Sequence, residues 1–169
     1  MLGPTAHVDH FTRDRLPPQS EWPDLLLDGF DYPERLNAGV ELTDRMVERG
    51  FGDNTALIGN GRHRTYKELT DWTNRIANAL VQDYGVKPGN RVLIRSANNP
   101  AMVACWLAAT KVGAVVVNTM PMLRAGELAK IVDKAEITHA LCDTRLMAEL
   151  VACANGSAFL KTVVGFDGS

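Results

Sequence analysis

The sequence predicts an α/β protein: a parallel sheet flanked by helices, built from βαβ repeats. Two observations carry this. Between residues 90 and 143 a short apolar strand, a turn, an amphipathic helix and a glycine or charged break recur, with strands at 91–95, 114–118 and 138–142 and helices at 100–111 and 124–134. Strands alternating with helices of ten or so residues are the mark of right-handed βαβ units. A fourth strand is expected at 162–166, after a helix capped by Asp143 with Leu146, Met147, Leu150 and Val151 turned inward.

Taken in order, residues 5–28 hold Pro17, Pro18 and Pro23 among Phe11, Leu16, Trp22 and the triplet Leu25, Leu26, Leu27. Three prolines rule out one regular element, so the segment is expected to wrap over a larger body with its aromatic and leucine side chains buried. His7 and His10 have a spacing that could hold a metal on a helix, but no third ligand is evident. Pro33 suits a first helical turn, and Leu36, Val40 and Val47, with neighbouring Met46, form a stripe on one helix that Gly50 ends. Residues 56–58 and 62–64 flank Gly59-Asn60-Gly61, a hairpin signal of the type I′ kind. Thr65 and Glu68 make a capping box for a helix carrying Leu69, Trp72, Ile76 and Leu80, which Gly85 closes. Asn99 is a natural N-cap, with Pro100 at the first helical position. The helix that follows is apolar almost all round and should be buried on more than one side. The chain thus divides into an irregular segment (1–30), a helix plus hairpin (31–64) and the parallel-sheet unit (65–169).

Composition narrows the function. Apolar residues make up 46%, charged residues 22%, and the formal net charge is -2. No basic excess points to nucleic acid and no polybasic run to a membrane surface. The longest apolar run, 101–109, is too short to span a bilayer, and the opening residues lack a signal core, so a cytoplasmic location is expected. Cys105, Cys142 and Cys153 sit in apolar segments and read as reduced packing residues.

In open parallel sheets ligands gather beyond the carboxyl ends of the strands. Those turns hold Ser96 to Asn99, then Asn118, Thr119, Met120 and Pro121, and then Asp143 to Arg145. Asn99 and Asp143 are explained as caps, whereas Asn118 and Thr119 follow a buried strand and are available to a ligand. His139, inside a strand, reads as a satisfied core histidine. There is no Gly-x-x-x-x-Gly-Lys phosphate loop, no glycine turn for a dinucleotide and no Gly-x-Ser-x-Gly elbow. By spacing alone this is an α/β domain without an autonomous active site.

Several blocks, however, resemble the beginning of adenylate-forming enzymes of the acyl-CoA synthetase type. They are Thr65-Tyr66-Lys67-Glu68-Leu69, Arg75 to Leu80, Gly85 to Val92, Asn98-Asn99-Pro100, Lys111 to Val115, and Pro121 with Glu127-Leu128. The opening His7-Val8-Asp9 with Leu16-Pro17-Pro18 and Trp22-Pro23, then Tyr32 to Asn37, Ala104 to Ala108 and His139 to Asp143, resemble 2-aminobenzoate–CoA and benzoate–CoA ligases. The resemblance implies an incomplete subdomain of the large N-terminal domain, truncated before the phosphate loop. It implies a parent enzyme using ATP, Mg2+ and CoA on a carboxylic acid, aromatic in the closer relatives, with none of these bound tightly by this chain alone. Its partners would be the rest of the ligase N-terminal domain and the C-terminal domain. The turn at Asn118, Thr119, Met120 and Pro121 is implied to border the CoA channel, and Arg145, with its bidentate fork, to suit a CoA phosphate. A rival expectation is a stand-alone binding module, most simply a homodimer covering the apolar helix.

Overall fold

The computed structural model describes residues 5–24, 26 and 28–169. A short helix α1 (Phe11–Asp14) opens it, followed by α2 (Ala38–Glu41), α3 (Asp44–Met46), a hairpin of β1 (Thr55–Gly59) and β2 (Arg62–Thr65), and α4 (Tyr66–Gln82). The parallel unit then runs β3 (Arg91–Arg95), α5 (Pro100–Lys111), β4 (Val115–Thr119), α6 (Ala125–Ala135), β5 (His139–Asp143), α7 (Met147–Gly156) and β6 (Thr162–Phe166). Its four strands are parallel in the order β4-β3-β5-β6.

Strand pleating splits the core in two. Val92, Ile94 and Leu141 face one side, against Ala77 and Leu80 of α4 and Cys105, Ala108 and Ala109 of α5. Leu93, Ala140 and Cys142 face the other, against Leu128 and Val132 of α6 and Leu150 and Cys153 of α7. From β3, the first of the four strands, the chain runs outward to β4 and then back across to β5 and β6, so right-handed crossovers put α5 on one face and α6 and α7 on the other. The connections therefore leave the carboxyl ends of the adjacent strands β3 and β5 toward opposite faces, where such sheets form a crevice.

Local chemistry accounts for the boundaries. Thr65 and Glu68 form the reciprocal capping box, Oγ1 of Thr65 accepting from Glu68 N–H at 3.2 Å and the Glu68 carboxylate accepting from Thr65 N–H at 2.8 Å. Asn99 Oδ1 accepts from Met102 N–H at 2.8 Å. Asn60 and Gly61 have φ of 53° and 69°, the left-handed pair of a type I′ turn. The three cysteines are free and buried, and desolvation pushes the thiol of Cys105 up to about 12 and that of Cys142 up to about 11.

Three expectations need correction. The helix read from Pro33 onward is broken: Asn37, not Pro33, marks its start, accepting from Val40 N–H at 3.1 Å. Thr43 then leaves helical geometry while its hydroxyl bonds back to Gly39 O at 2.6 Å, the i−4 competition that interrupts helices. Residues Val47–Phe51 form a π-helical turn in which Gly50 has φ of 88°. Gly39 sits so close to α5 that an added Cβ would lie 2.8 Å from Leu107 O, and this contact holds the broken helix in place. The N-terminal segment is only partly buried: Leu16 and Leu26 are exposed, Phe11 and Trp22 half-buried, while Leu25 and Leu27 lie outside the described residues. Among its described residues, charged contacts rather than Leu16 or Leu26 fasten it. Val151 is exposed on α7, whereas Leu150 is fully buried.

The apolar α5 is buried on several sides, as its composition requires, with Ala101, Ala104, Cys105, Leu107, Ala108 and Ala109 inside. Its cover is supplied by the sheet, α4 and α2, so its apolar surface does not itself call for a second copy. Among the described residues, no helix is long and apolar enough to cross a membrane.

Candidate functional site

Both ends of β3 carry a buried arginine. Arg91, Leu93 and Arg95 share the face covered by α6 and α7, because alternate residues of a strand point the same way. At the amino end Arg91 donates to Ala135 O at 2.8 Å and Glu136 O at 2.9 Å, the exposed carbonyls where α6 stops, and to Gly89 O at 3.1 Å. It also pairs with Asp9 and lies 4.2 Å from the centroid of the Phe11 ring. Burial would raise the pKa of Asp9, but hydrogen bonds from Phe11 N–H, Arg91 and Asn90 outweigh it and hold the carboxyl below its usual value. Around Arg91 itself the space is filled by these partners.

The carboxyl end is different. Arg95, 1% exposed, donates from Nε to Leu146 O at 3.3 Å, from Nη1 to Met120 O at 3.0 Å, and from Nη2 to Pro121 O and Leu123 O at 2.8 Å each. Among the described residues no carboxylate forms an ion pair with it. Beside it, Asp143 is 1% exposed and is gripped by Arg145, Nε at 2.9 Å on one oxygen and Nη2 at 2.5 Å on the other. That fork is the chief reason the Asp143 carboxyl sits below the usual carboxylate range. Gly168, after β6, comes so near this pair that a Cβ there would collide with the Asp143 carboxylate and lie 2.8 Å from the Asn99 amide. The ends of β3, β5 and β6 therefore meet at one polar knot.

Next to the knot lies a cleft of about 530 Å³, lined by Arg95, Pro121, Met122, Leu123, Arg124, Arg145, Leu146, Ala148 and Glu149. Arg124 pairs with Glu149 at 2.9 Å, and Glu149 also accepts from Ala125 N–H at 2.8 Å at the start of α6. A slightly larger cavity, about 580 Å³, lies at the other end of the sheet near His7, Glu34 and Ala114. It lacks a cluster of cations, and the strand-end cleft is the better candidate because helix starts and arginines converge there.

Of the residues singled out by sequence, Pro121 and Arg145 line this cleft. Thr119 is buried at the end of β4, its hydroxyl 3.5 Å from Ile94 O. Asn118 is exposed on the same strand, which extends one residue further than expected, and Met120 is exposed in the turn. Asn99 is a cap as expected, whereas Asp143, accepting from Arg145 N–H at 3.0 Å, caps the 3-10 turn Thr144–Leu146 that precedes α7 rather than α7 itself, which begins after Leu146 without a side-chain cap. His139 is satisfied by Thr138 Oγ1 at 2.7 Å and Tyr84 O at 2.9 Å, half-buried at the start of β5 rather than deep in the core. Among the described residues no group of three or more histidines, cysteines and carboxylates could hold a metal. Arg95, Arg124 and Glu149 were not singled out by sequence. The one available signal was arginine at both ends of an otherwise apolar central strand.

The parallel sheet and its strand-end cleft belong to the AMP-binding enzyme family, whose model matches residues 44–168, and the chain is a member of that family. The chain is 39% identical over 84 residues to a 3-hydroxybenzoate–CoA/4-hydroxybenzoate–CoA ligase of Thauera aromatica, a match covering 50% of this chain and 16% of the relative. It is also 39% identical over 82 residues to a 3-hydroxybenzoate–CoA ligase of an Aromatoleum species, covering 48% and 16%. In structure it is similar to an anthranilate CoA ligase solved with anthranoyl-AMP, with a TM-score of 0.74 at 20% identity, covering 80% of this chain and 26% of the other. A benzoate CoA ligase of Burkholderia xenovorans LB400 gives a TM-score of 0.69 at 21% identity, covering 77% and 26%. These structural likenesses establish the fold. The match spans about a sixth of the length of these two curated relatives.

Proposed function

We propose that this chain is the N-terminal part of an AMP-forming carboxylic acid–CoA ligase acting on an aromatic acid such as benzoate or 2-aminobenzoate. The carrying observation is the family match across the whole parallel unit, joined to relatives named as hydroxybenzoate–CoA ligases. In such a reaction a carboxylate attacks the α-phosphorus of ATP, releasing pyrophosphate and forming an acyl-adenylate. The CoA thiol then adds to the acyl carbon and expels AMP, leaving a thioester. Adenylation converts a poor leaving group into a good one, and Mg2+ and cationic side chains offset the phosphate charge.

Within that scheme this chain is the scaffold and one wall of the CoA channel. Asn118, Thr119, Met120 and Pro121 form the rim, and Arg145 faces the phosphates. Because Arg145 spends Nε and Nη2 on Asp143, its Nη1 remains to meet an anion, on a guanidinium already oriented by a buried partner. The boundaries at residues 30 and 64 belong to the same proposal, with 65–169 as the wall-forming subdomain. ATP, Mg2+ and CoA belong to the whole enzyme, together with the rest of its N-terminal domain and the C-terminal domain, in the cytoplasm. The 169-residue chain holds no glycine-rich phosphate loop and is inactive by itself.

The test is acid-dependent ATP–pyrophosphate exchange and thioester formation by the full-length natural protein, offered benzoate, 2-aminobenzoate and straight-chain acids. Exchange and thioester formation should favour the aromatic acids. Turnover of straight-chain acids alone, or of none, overturns the reading, and exchange by the pure 169-residue chain contradicts its inactivity.

A further inference from the structure

Arg95 has no part in the reading above, yet it is the largest fully buried side chain in the structure. A buried guanidinium commonly finds a carboxylate. Arg95 instead gathers four carbonyls from two separate segments: Met120, Pro121 and Leu123 in the turn between β4 and α6, and Leu146 in the 3-10 turn that leads from Arg145 into α7. An apolar residue of the same size would fill the space but take the guanidinium from all four carbonyls, of which Met120 O keeps a second donor, Leu123 N–H at 3.3 Å. The fork therefore sets both the shape of the Met120–Leu123 turn and its distance from the turn bearing Arg145.

We propose that Arg95 is a positioning residue for the CoA half-reaction: it touches no substrate, but holds the two walls of the strand-end cleft in register. This rests on the channel reading of the preceding subsection. Without the fork the carbonyls of Met120, Pro121 and Leu123 turn toward water, and the rim carrying Met120 and Pro121 moves relative to Arg145. CoA then meets a displaced site. The adenylation step, for which this chain offers no phosphate loop, is left alone.

The experiment uses the full-length natural protein with Arg95→Met and Arg95→Lys, and with Arg145→Ala as reference. Displacement by about an ångström can cost a large factor in function, so Arg95→Met should raise KM for CoA roughly tenfold, with kcat and KM for ATP within about twofold. Arg95→Lys keeps the charge and three donors and should recover KM to within about threefold of the parent. It also secures the test should the methionine variant fail to fold. A merely structural residue would lower kcat, ATP use and CoA use together, and that pattern in Arg95→Lys overturns the proposal. So does an unchanged KM for CoA in Arg95→Met. If Arg145→Ala shifts KM for CoA and Arg95→Met does not, only this inference fails; if neither shifts it, the channel reading fails as well.

Discussion

The two ends of β3 begin from the same chemistry and finish differently. Each presents a buried arginine whose fork is met by backbone carbonyls, and each arginine ties a neighbouring helix end to the central strand. At the amino end the charge is cancelled by Asp9, and the ring of Phe11 lies between Arg91 and Arg15, whose guanidinium is 3.7 Å from its centroid. Arg15 in turn reaches Glu136 at 2.9 Å, so the N-terminal segment seals that end. At the carboxyl end Arg95 has carbonyls alone, and Arg124 and Arg145 add cations beside a cleft. Arg124 pairs with Glu149 and Arg145 with Asp143, so three guanidiniums stand against two carboxylates and leave a positive excess that an incoming anion can use. The lesson is that one residue type serves closure at one end and an open, anion-favouring surface at the other.

That contrast can be broken at the sealed end first. Arg91→Met takes the counter-ion from Asp9 and the guanidinium from three carbonyls, and should cost about 3 kcal/mol in denaturant unfolding, while leaving KM for CoA of the full-length protein unchanged. Asp9→Asn keeps shape but loses the charge, and should cost about 1–2 kcal/mol by the same measurement. At the open end, Asp143→Asn should cost about 1 kcal/mol near neutral pH. The sign of its pH dependence is set by the lowered carboxyl: the Asp143 contribution is complete above the ordinary carboxylate pKa of about 4 and is lost as pH falls through the lower folded value. The gap between parent and Asp143→Asn should therefore narrow on acidification below that range; a gap that widens would refute the assignment. Smallest of all, Arg124→Ala removes a largely exposed pair and should leave the unfolding midpoint unmoved.

Much of this fold was legible because its instructions are local. The Asn60-Gly61 turn, the Thr65 and Glu68 box, the Asn99 cap with Pro100, and the apolar strands are each written within a few residues. What was not legible depends on partners far away. The carbonyls that Arg95 meets lie 25 to 51 residues downstream, and a backbone oxygen has no sequence signature. Likewise the stripe through Leu36, Val40 and Val47 had helical spacing, but periodicity does not register a threonine hydroxyl bonding back to Gly39 or the close approach of Gly39 to α5. Leu16 and Leu26 misled for a related reason: the anchors among the described residues there are Asp9, Phe11 and Arg15, whose partners sit on β3 and just past α6.

The most direct test of this division of labour compares Arg145→Ala and Asp9→Asn in the full-length natural protein, measuring KM for CoA alongside acid-dependent ATP–pyrophosphate exchange. The account predicts that Arg145→Ala raises KM for CoA severalfold with exchange retained, whereas Asp9→Asn lowers stability and leaves both activities in place. Equal CoA dependence in the two variants, or loss of exchange in Arg145→Ala, would contradict it.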